Sequence, residues 1–188
     1  MLRYLLPTAL GLFRLASVLF VVVWILDGRF QTAFWLFLAA GFSDAIDGVI
    51  ARRLNAVSRF GTVLDPIADK LLMTLTLVAL AAAGHAPWWL PTILFARDAA
   101  TTIGYLIALV KQIDLVRKPL AIGKISTGVT IATTVTLLAK PAFGWDLPGL
   151  VLGMSVLTVI LNLATWLLYT RIGLAALADA RRGHPTIP

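Results

Sequence analysis

Residues 44–69 read DAIDGVIARRLNAVSRFGTVLDPIAD. Four of the chain's nine acidic residues fall here, at Asp44, Asp47, Asp65 and Asp69, and none of the nine is a glutamate. The flanks are apolar: TAFWLFLAAGF leads in and KLLMTLTLVAL leads out. If those flanks cross a bilayer, the carboxylates sit on membrane-embedded or membrane-edge backbone. An ionisable group in that position is costly and marks a functional site by default.

The spacing narrows the chemistry. Asp44 and Asp47 are three apart, Asp65 and Asp69 four apart. On helices, each pair shares a face. Two such helices, antiparallel and joined by a short loop, could bring all four carboxylates together. Like charges at close range need compensation to stay ionised. Hard divalent cations supply it, so the set predicts a site for Mg²⁺ or Mn²⁺. Capping, or pairing with Arg52, Arg53, Arg59 or Lys70, would account for one or two of these acids, not for four in apolar helices. Gly48, Ala51 and Gly61 lie on or near the same faces, where small side chains allow a ligand close approach. Arg52 offers a forked donor to phosphate oxygens. The chemistry suggested is a diphosphate across two metal ions, clamped by an arginine.

Composition sets the environment. The chain has 188 residues, 60% of them hydrophobic, with a mean hydropathy of +0.92. That is too apolar for a water-soluble domain of this size. The length suits one domain of about six spans at roughly 20 residues each. The formal net charge is +7. In so apolar a chain this charge orients loops and meets anionic lipid heads, and it does not indicate nucleic acid. There is no cysteine, hence no disulfide and no thiolate site. His85 and His184 are isolated, which argues against zinc. No signal-peptide cleavage site is evident after the apolar run that follows Arg14.

The predicted fold is all-α and integral to the membrane: six transmembrane helices with a short N-terminal interfacial helix. Met1 to Gly11, with Pro7, is the interfacial lead-in. The spans are expected at about 12–26, 31–50, 62–83, 88–110, 122–139 and 150–169. The stretch 51–60 reads as a basic connection, and Pro66 as a first-turn proline of the third span. Trp88 and Trp89 suit an interfacial belt. Residues 140–148 read as a turn-rich loop. Residues 1–170 form the membrane domain and 171–188 a basic, peripheral tail. No internal repeat stands out, and the heptad-like patterns within the spans read as apolar helices only.

The ungapped pattern Asp44-x2-Asp47-Gly48-x2-Ala51-Arg52-x8-Gly61-x3-Asp65-x3-Asp69 resembles the signature of the CDP-alcohol phosphatidyltransferase family. The Val63–Lys70 block, Arg97-Asp98 and Gly123-Lys124 look like its phosphatidylglycerol-phosphate synthase and CMP-forming cardiolipin synthase branch. The resemblance implies transfer of a phosphatidyl group from CDP-diacylglycerol to an alcohol, with release of CMP. By it, Asp44, Asp47, Asp65 and Asp69 hold the metals, and Asp69 is also the general base. Gly48, Ala51, Arg52, Ser58 and Gly61 match nucleotide and diphosphate contacts. Thr8 is a further candidate, although the family's asparagine after the proline is absent here. Arg97 and Lys124, with Arg14 or Arg117, are candidates for an acceptor anion pocket. Arg14 could equally snorkel from the start of its span. Glycerol 3-phosphate is the expected acceptor and phosphatidylglycerol the alternative; a following Asp98, not glutamate, resembles the cardiolipin branch. The family also implies a homodimer.

Loop charge gives an orientation. Arg3, Arg52, Arg53, Arg59, Lys111, Arg117, Lys118, Lys124, Arg171, Arg181 and Arg182 fall at one set of ends, Arg29 and Lys140 at the other. The basic side is expected to be cytoplasmic, in a bacterial inner membrane, with both termini and the acidic cluster there. A small cation transporter is the alternative from a different class. It lacks visible repeats or broken helices and leaves the Gly-Ala-Arg spacing unexplained.

Overall fold

The computed structural model describes the backbone of residues 2–54, 59–110 and 121–181, and the side chains of 14–43, 70–104, 106–107 and 121–175. The described residues form six α-helices and no strand: α1 Leu2–Leu26, α2 Phe30–Leu54, α3 Arg59–Ala82, α4 Trp89–Val110, α5 Ala121–Phe143 and α6 Pro148–Arg181.

Several helices run past their expected ends. The interfacial lead-in is not a separate helix, because α1 is continuous from Leu2. Pro7 lies within its first two turns and removes a single backbone donor there. Arg52, Arg53 and Arg59 belong to helices, not to a connection, since α2 extends to Leu54 and α3 starts at Arg59. Alanine, arginine and leucine are strong helix formers, which explains the extension. Pro66 therefore falls in the third turn of α3, not the first. Lys140 sits in the last turn of α5, with Pro141 beside it. Helix α6 continues through the expected start of the tail to Arg181.

The turns are set by local chemistry. Gly28, Gly84 and Gly144 have φ of 76°, 78° and 69°, a region costly for any residue with a Cβ. After α1, the Gly28 N–H donates to the Ile25 carbonyl at 3.1 Å and the Arg29 N–H to Trp24 at 2.7 Å. The last carbonyls of the helix are thereby satisfied, and the chain reverses within three residues. Pro148 opens α6, where its missing N–H costs nothing.

The chain divides into two compact units. The first comprises Met1–Pro91 and Thr134–Val151, the second Thr92–Thr133 and Leu152–Pro188. In the first, α1 packs against both α2 and α3. Its inward stripe is Arg14, Ser17, Val18, Val21 and Ile25, all buried, at the three- and four-residue spacing of one helix face. Ala33, Phe34, Phe37 and Ala40 of α2 and Leu72, Leu77 and Leu80 of α3 complete that core with Leu137 and Leu138 of α5.

The second unit is held differently. A polar seam joins α5 and α6, where the sequence reading expected only apolar faces. The hydroxyls of Thr133 and Thr158 meet at 2.7 Å. The Asn162 amide donates to the Thr130 hydroxyl at 3.0 Å and to the Thr158 carbonyl at 2.9 Å. Ser126, Ser155 and Thr165 are buried as well. Between helices that lipid solvates as well as they solvate each other, such bonds and small side chains replace the hydrophobic drive to associate.

The outer surfaces are apolar. Leu19 is 67% exposed, Ile160 57% and Leu167 57%. Among the described residues, α5 and Pro148–Ala175 are long and apolar enough to cross a bilayer. With those greasy outer faces, this is the surface of a membrane protein. Trp88 and Trp89 are exposed at the start of α4.

Candidate active site

Helix α2 carries positions 44, 47, 48, 51 and 52 in its last three turns, and α3 carries 61, 65 and 69 in its first three. Each pair of acids thus lies within one helix. The side chains of Asp44, Asp47, Gly48, Ala51, Arg52, Gly61, Asp65 and Asp69 lie outside the described residues, as does that of Thr8. Ser58 and Arg117 lie outside them altogether.

Three candidate cations are described. Among the described residues, Arg14 is the largest fully buried side chain, 1% exposed in the core of the first unit. It does not snorkel. A guanidinium held away from water needs company, and Arg14 is not without an interacting partner. Its place on the inward stripe of α1 puts it among Ser17 and Val18.

Arg97 belongs to the second unit, on α4. Its Nη1 donates to Asp98 Oδ1 at 2.7 Å, and its side chain is 19% exposed. Its Nε is buried with no hydrogen-bond partner. The neighbours on this helix are Ala96, Ala99, Ala100 and Phe95. One edge of the guanidinium is therefore occupied by Asp98, and the Nε donor is left over. Such a donor away from water costs about 1–3 kcal/mol unless something accepts from it. The Thr101 hydroxyl donates to the Arg97 carbonyl at 2.8 Å, tying this turn of α4.

Lys124 is in the second unit too, exposed in the first turn of α5. It follows Gly123, whose Cα faces α6. A methyl group at Gly123 would meet the Tyr169 hydroxyl oxygen at 3.2 Å and Thr165 Cγ2 at 3.9 Å. Sequence reasoning singled out Gly123-Lys124 but not Tyr169. Its signal was there to read, as a tyrosine seven residues after an asparagine on one helix face.

The opposite end of the first unit has its own electrostatics. His85, in the turn after α3, packs edge-on against Phe30, ring centres 4.6 Å apart. Partial burial, and then the charge of Lys140, hold its imidazole below the usual histidine pKa. The Arg29 guanidinium stands 5.9 Å from the Trp24 ring centre, within cation–π range.

Comparison with known proteins gives the class. The profile of the CDP-alcohol phosphatidyltransferase family matches residues 4–176. The chain belongs to the CDP-alcohol phosphatidyltransferase family. It is 31% identical over 188 residues to the CDP-diacylglycerol–glycerol-3-phosphate 3-phosphatidyltransferase of Escherichia coli K12, covering 92% of this chain and 97% of that one. It is 38% identical over 103 residues to the protein of the same name in Bacillus subtilis, covering 55% of this chain and 52% of that one. A probable CMP-forming cardiolipin synthase of Drosophila melanogaster is 32% identical over 182 residues, covering 83% and 56%. The match thus spans about half the length of the last two relatives and nearly all of the first.

Proposed function

We propose that this protein transfers the phosphatidyl group of CDP-diacylglycerol to glycerol 3-phosphate, giving phosphatidylglycerol phosphate and CMP. Family membership and the ungapped aspartate pattern support the reaction. The observation that carries the acceptor is Arg97, whose Nη1 is engaged by Asp98 while its buried Nε has no partner. A phosphate oxygen is the acceptor such a donor fits. Lys124 adds a second cation in the same unit.

The donor set for a metal is all carboxylate: Asp44, Asp47, Asp65 and Asp69. Hard oxygen ligands of this kind fit Mg²⁺ or Mn²⁺, and two such ions would neutralise the diphosphate and stabilise charge at phosphorus. The protein's own residues do the rest. Gly48, Ala51 and Gly61 admit the nucleotide diphosphate, with Arg52 and Ser58 donating to it and Thr8 near the nucleotide. Arg97 and Lys124, with Arg117 as a further cation, hold the acceptor phosphate, whereas Arg14 is buried in the core of the first unit. Asp69 takes the proton of the acceptor hydroxyl. The hydroxyl oxygen bonds to the phosphorus bearing diacylglycerol, and the bond from that phosphorus to CMP breaks.

In this reading all six helices span the bilayer, residues 1–170 forming the membrane domain and 171–188 the tail. The basic loop ends face the cytoplasm of a bacterial cell, where soluble acceptors are found, and the protein works as a homodimer. A second reading, with phosphatidylglycerol as acceptor, draws on Asp98. That carboxylate already engages Arg97 and lowers the charge to be matched. The cation-transport expectation is set aside, because family membership accounts for the Gly-Ala-Arg spacing that ion transport does not.

The test uses purified protein in lipid nanodiscs with Mg²⁺ and labelled CDP-diacylglycerol. Glycerol 3-phosphate, phosphatidylglycerol, inositol phosphate and serine are offered separately. CMP release that depends on glycerol 3-phosphate is the expected result; release with none of the four would sink the reading.

A further inference from the structure

We propose that Tyr169 is a positioning residue for the acceptor site: its hydroxyl, seated on Gly123, fixes the first turn of α5 and with it Lys124. The proposal rests on the reading above for the role of Lys124, and on the α5–α6 contact for the rest.

Three rungs set the register of the two helices. Thr133 meets Thr158 at 2.7 Å, and Asn162 meets Thr130 at 3.0 Å. Gly123 is seven residues before Thr130, and Tyr169 is seven residues after Asn162. Equal rise along antiparallel helices, roughly 10 Å for seven residues, brings Tyr169 level with Gly123. The third rung follows: a Cβ at Gly123 would lie 3.2 Å from the Tyr169 hydroxyl oxygen and 3.8 Å from Cε2. That is tighter than ordinary van der Waals contact, so a side chain at position 123 would require Tyr169 or the turn to give by a few tenths of an ångström.

The first turn of a helix is its least anchored part, because its N–H groups have no partner within the helix. Here the turn comprises Ala121 to Lys124. A contact from α6 is what holds it in place. Lys124, exposed and next in sequence to the pinned glycine, takes its position from that contact. The seam behind it makes the contact rigid, since the Asn162 amide is tied to both helices.

The test is a suppressor pair. Gly123→Ala adds a methyl that the hydroxyl opposes at 3.2 Å, so with Tyr169 held by the seam the proposal expects the first turn to shift by a few tenths of an ångström. Its KM for glycerol 3-phosphate should rise about tenfold, as sub-ångström misplacement of a binding charge does, while its KM for CDP-diacylglycerol stays within about twofold. Tyr169→Phe removes the opposing oxygen and leaves Cε2 at an ordinary 3.8 Å. The double variant G123A/Y169F should therefore return towards wild type. In parallel, acetylation of Lys124 by a water-soluble succinimidyl ester is followed by mass spectrometry. Its rate should change in G123A and be restored in the double variant. The proposal is overturned if G123A keeps the wild-type acceptor KM, if both KM values rise together, or if Y169F gives no restoration. If wild type releases no CMP with any acceptor, the functional reading fails, and the acetylation rates still decide the contact. Should G123A not fold, Y169F alone decides: the loosened turn should raise the acetylation rate about threefold, at the low end of the coupling between residues in contact, and an unchanged rate refutes the role.

Discussion

The hydroxyls of Thr133 and Thr158 meet at 2.7 Å between α5 and α6, and Thr133 is also 3.4 Å from the Met154 carbonyl. A hydroxyl pair of this kind is modest in worth, about 0.6 kcal/mol on average for polar contacts between membrane helices. Thr158→Val should destabilise the protein by about that amount, and Thr133→Val likewise. The double variant should cost less than the two together, because no buried hydroxyl is then left facing a methyl group. Unfolding in mixed micelles with increasing dodecyl sulfate measures all three. Additive costs would show that the two hydroxyls act separately.

Arg97 is predicted to matter for one substrate more than the other. Arg97→Ala removes a charged donor worth about 1.5–3 kcal/mol in a hydrogen bond. The apparent binding constant for glycerol 3-phosphate should weaken by roughly ten- to a hundredfold, with CDP-diacylglycerol little affected. Initial rates over a grid of both substrates separate the effects. Equal weakening of both would count against an acceptor pocket at this position.

Asp69→Asn keeps the shape of the side chain and loses the base. Turnover should fall by about 10² to 10⁴, while calorimetry with CDP-diacylglycerol shows most of the nucleotide affinity retained. Chelation by EDTA should also abolish CMP release, with recovery on adding Mg²⁺. Wild-type turnover in the variant would remove Asp69 from its assigned role, and full activity in EDTA would remove the metals.

His85 gives the protein a pH-dependent stability away from the site. Its imidazole pKa is lowered in the folded state, so the unfolded chain binds the proton more readily. Stability from this group is present above about pH 6.5, the ordinary histidine value, and is lost as pH falls below it. The melting temperature should drop between pH 7.5 and 5.5, and His85→Gln should flatten that drop. Lys140→Met should reduce it in part, since Lys140 is the smaller cause. An identical pH response in H85Q would assign the effect to other groups.

Much of this architecture is legible in the sequence because bilayer crossing leaves a coarse imprint. Apolar runs separated by Gly28, Gly84 and Gly144 mark the helices, and three of the breaks are left-handed glycines. The helix ends were harder to read. Arg52, Arg53 and Arg59 look like loop charges, yet Arg52 and Arg53 lie in the last turn of α2 and Arg59 opens α3, because a helix can outlast its apolar run. Arg14 was read as a residue that could snorkel, but its position on the packed face of α1 buries it. Only packing decides that. The aspartate pattern named the family by spacing alone. The seam of Thr130, Thr133, Thr158 and Asn162 was missed because threonine in an apolar span looks incidental until its partner across the helix pair is known.

Helix α6 has 34 residues, about 51 Å of rod at 1.5 Å per residue. Hydrocarbon occupies only about 30 Å of a bilayer. Even at a tilt of about 40°, a crossing of that core takes roughly 39 Å of the rod and leaves about two turns beyond the hydrocarbon. The helix's last residue, Arg181, is thus held beyond the hydrocarbon by a rigid rod, at the level of the anionic head groups.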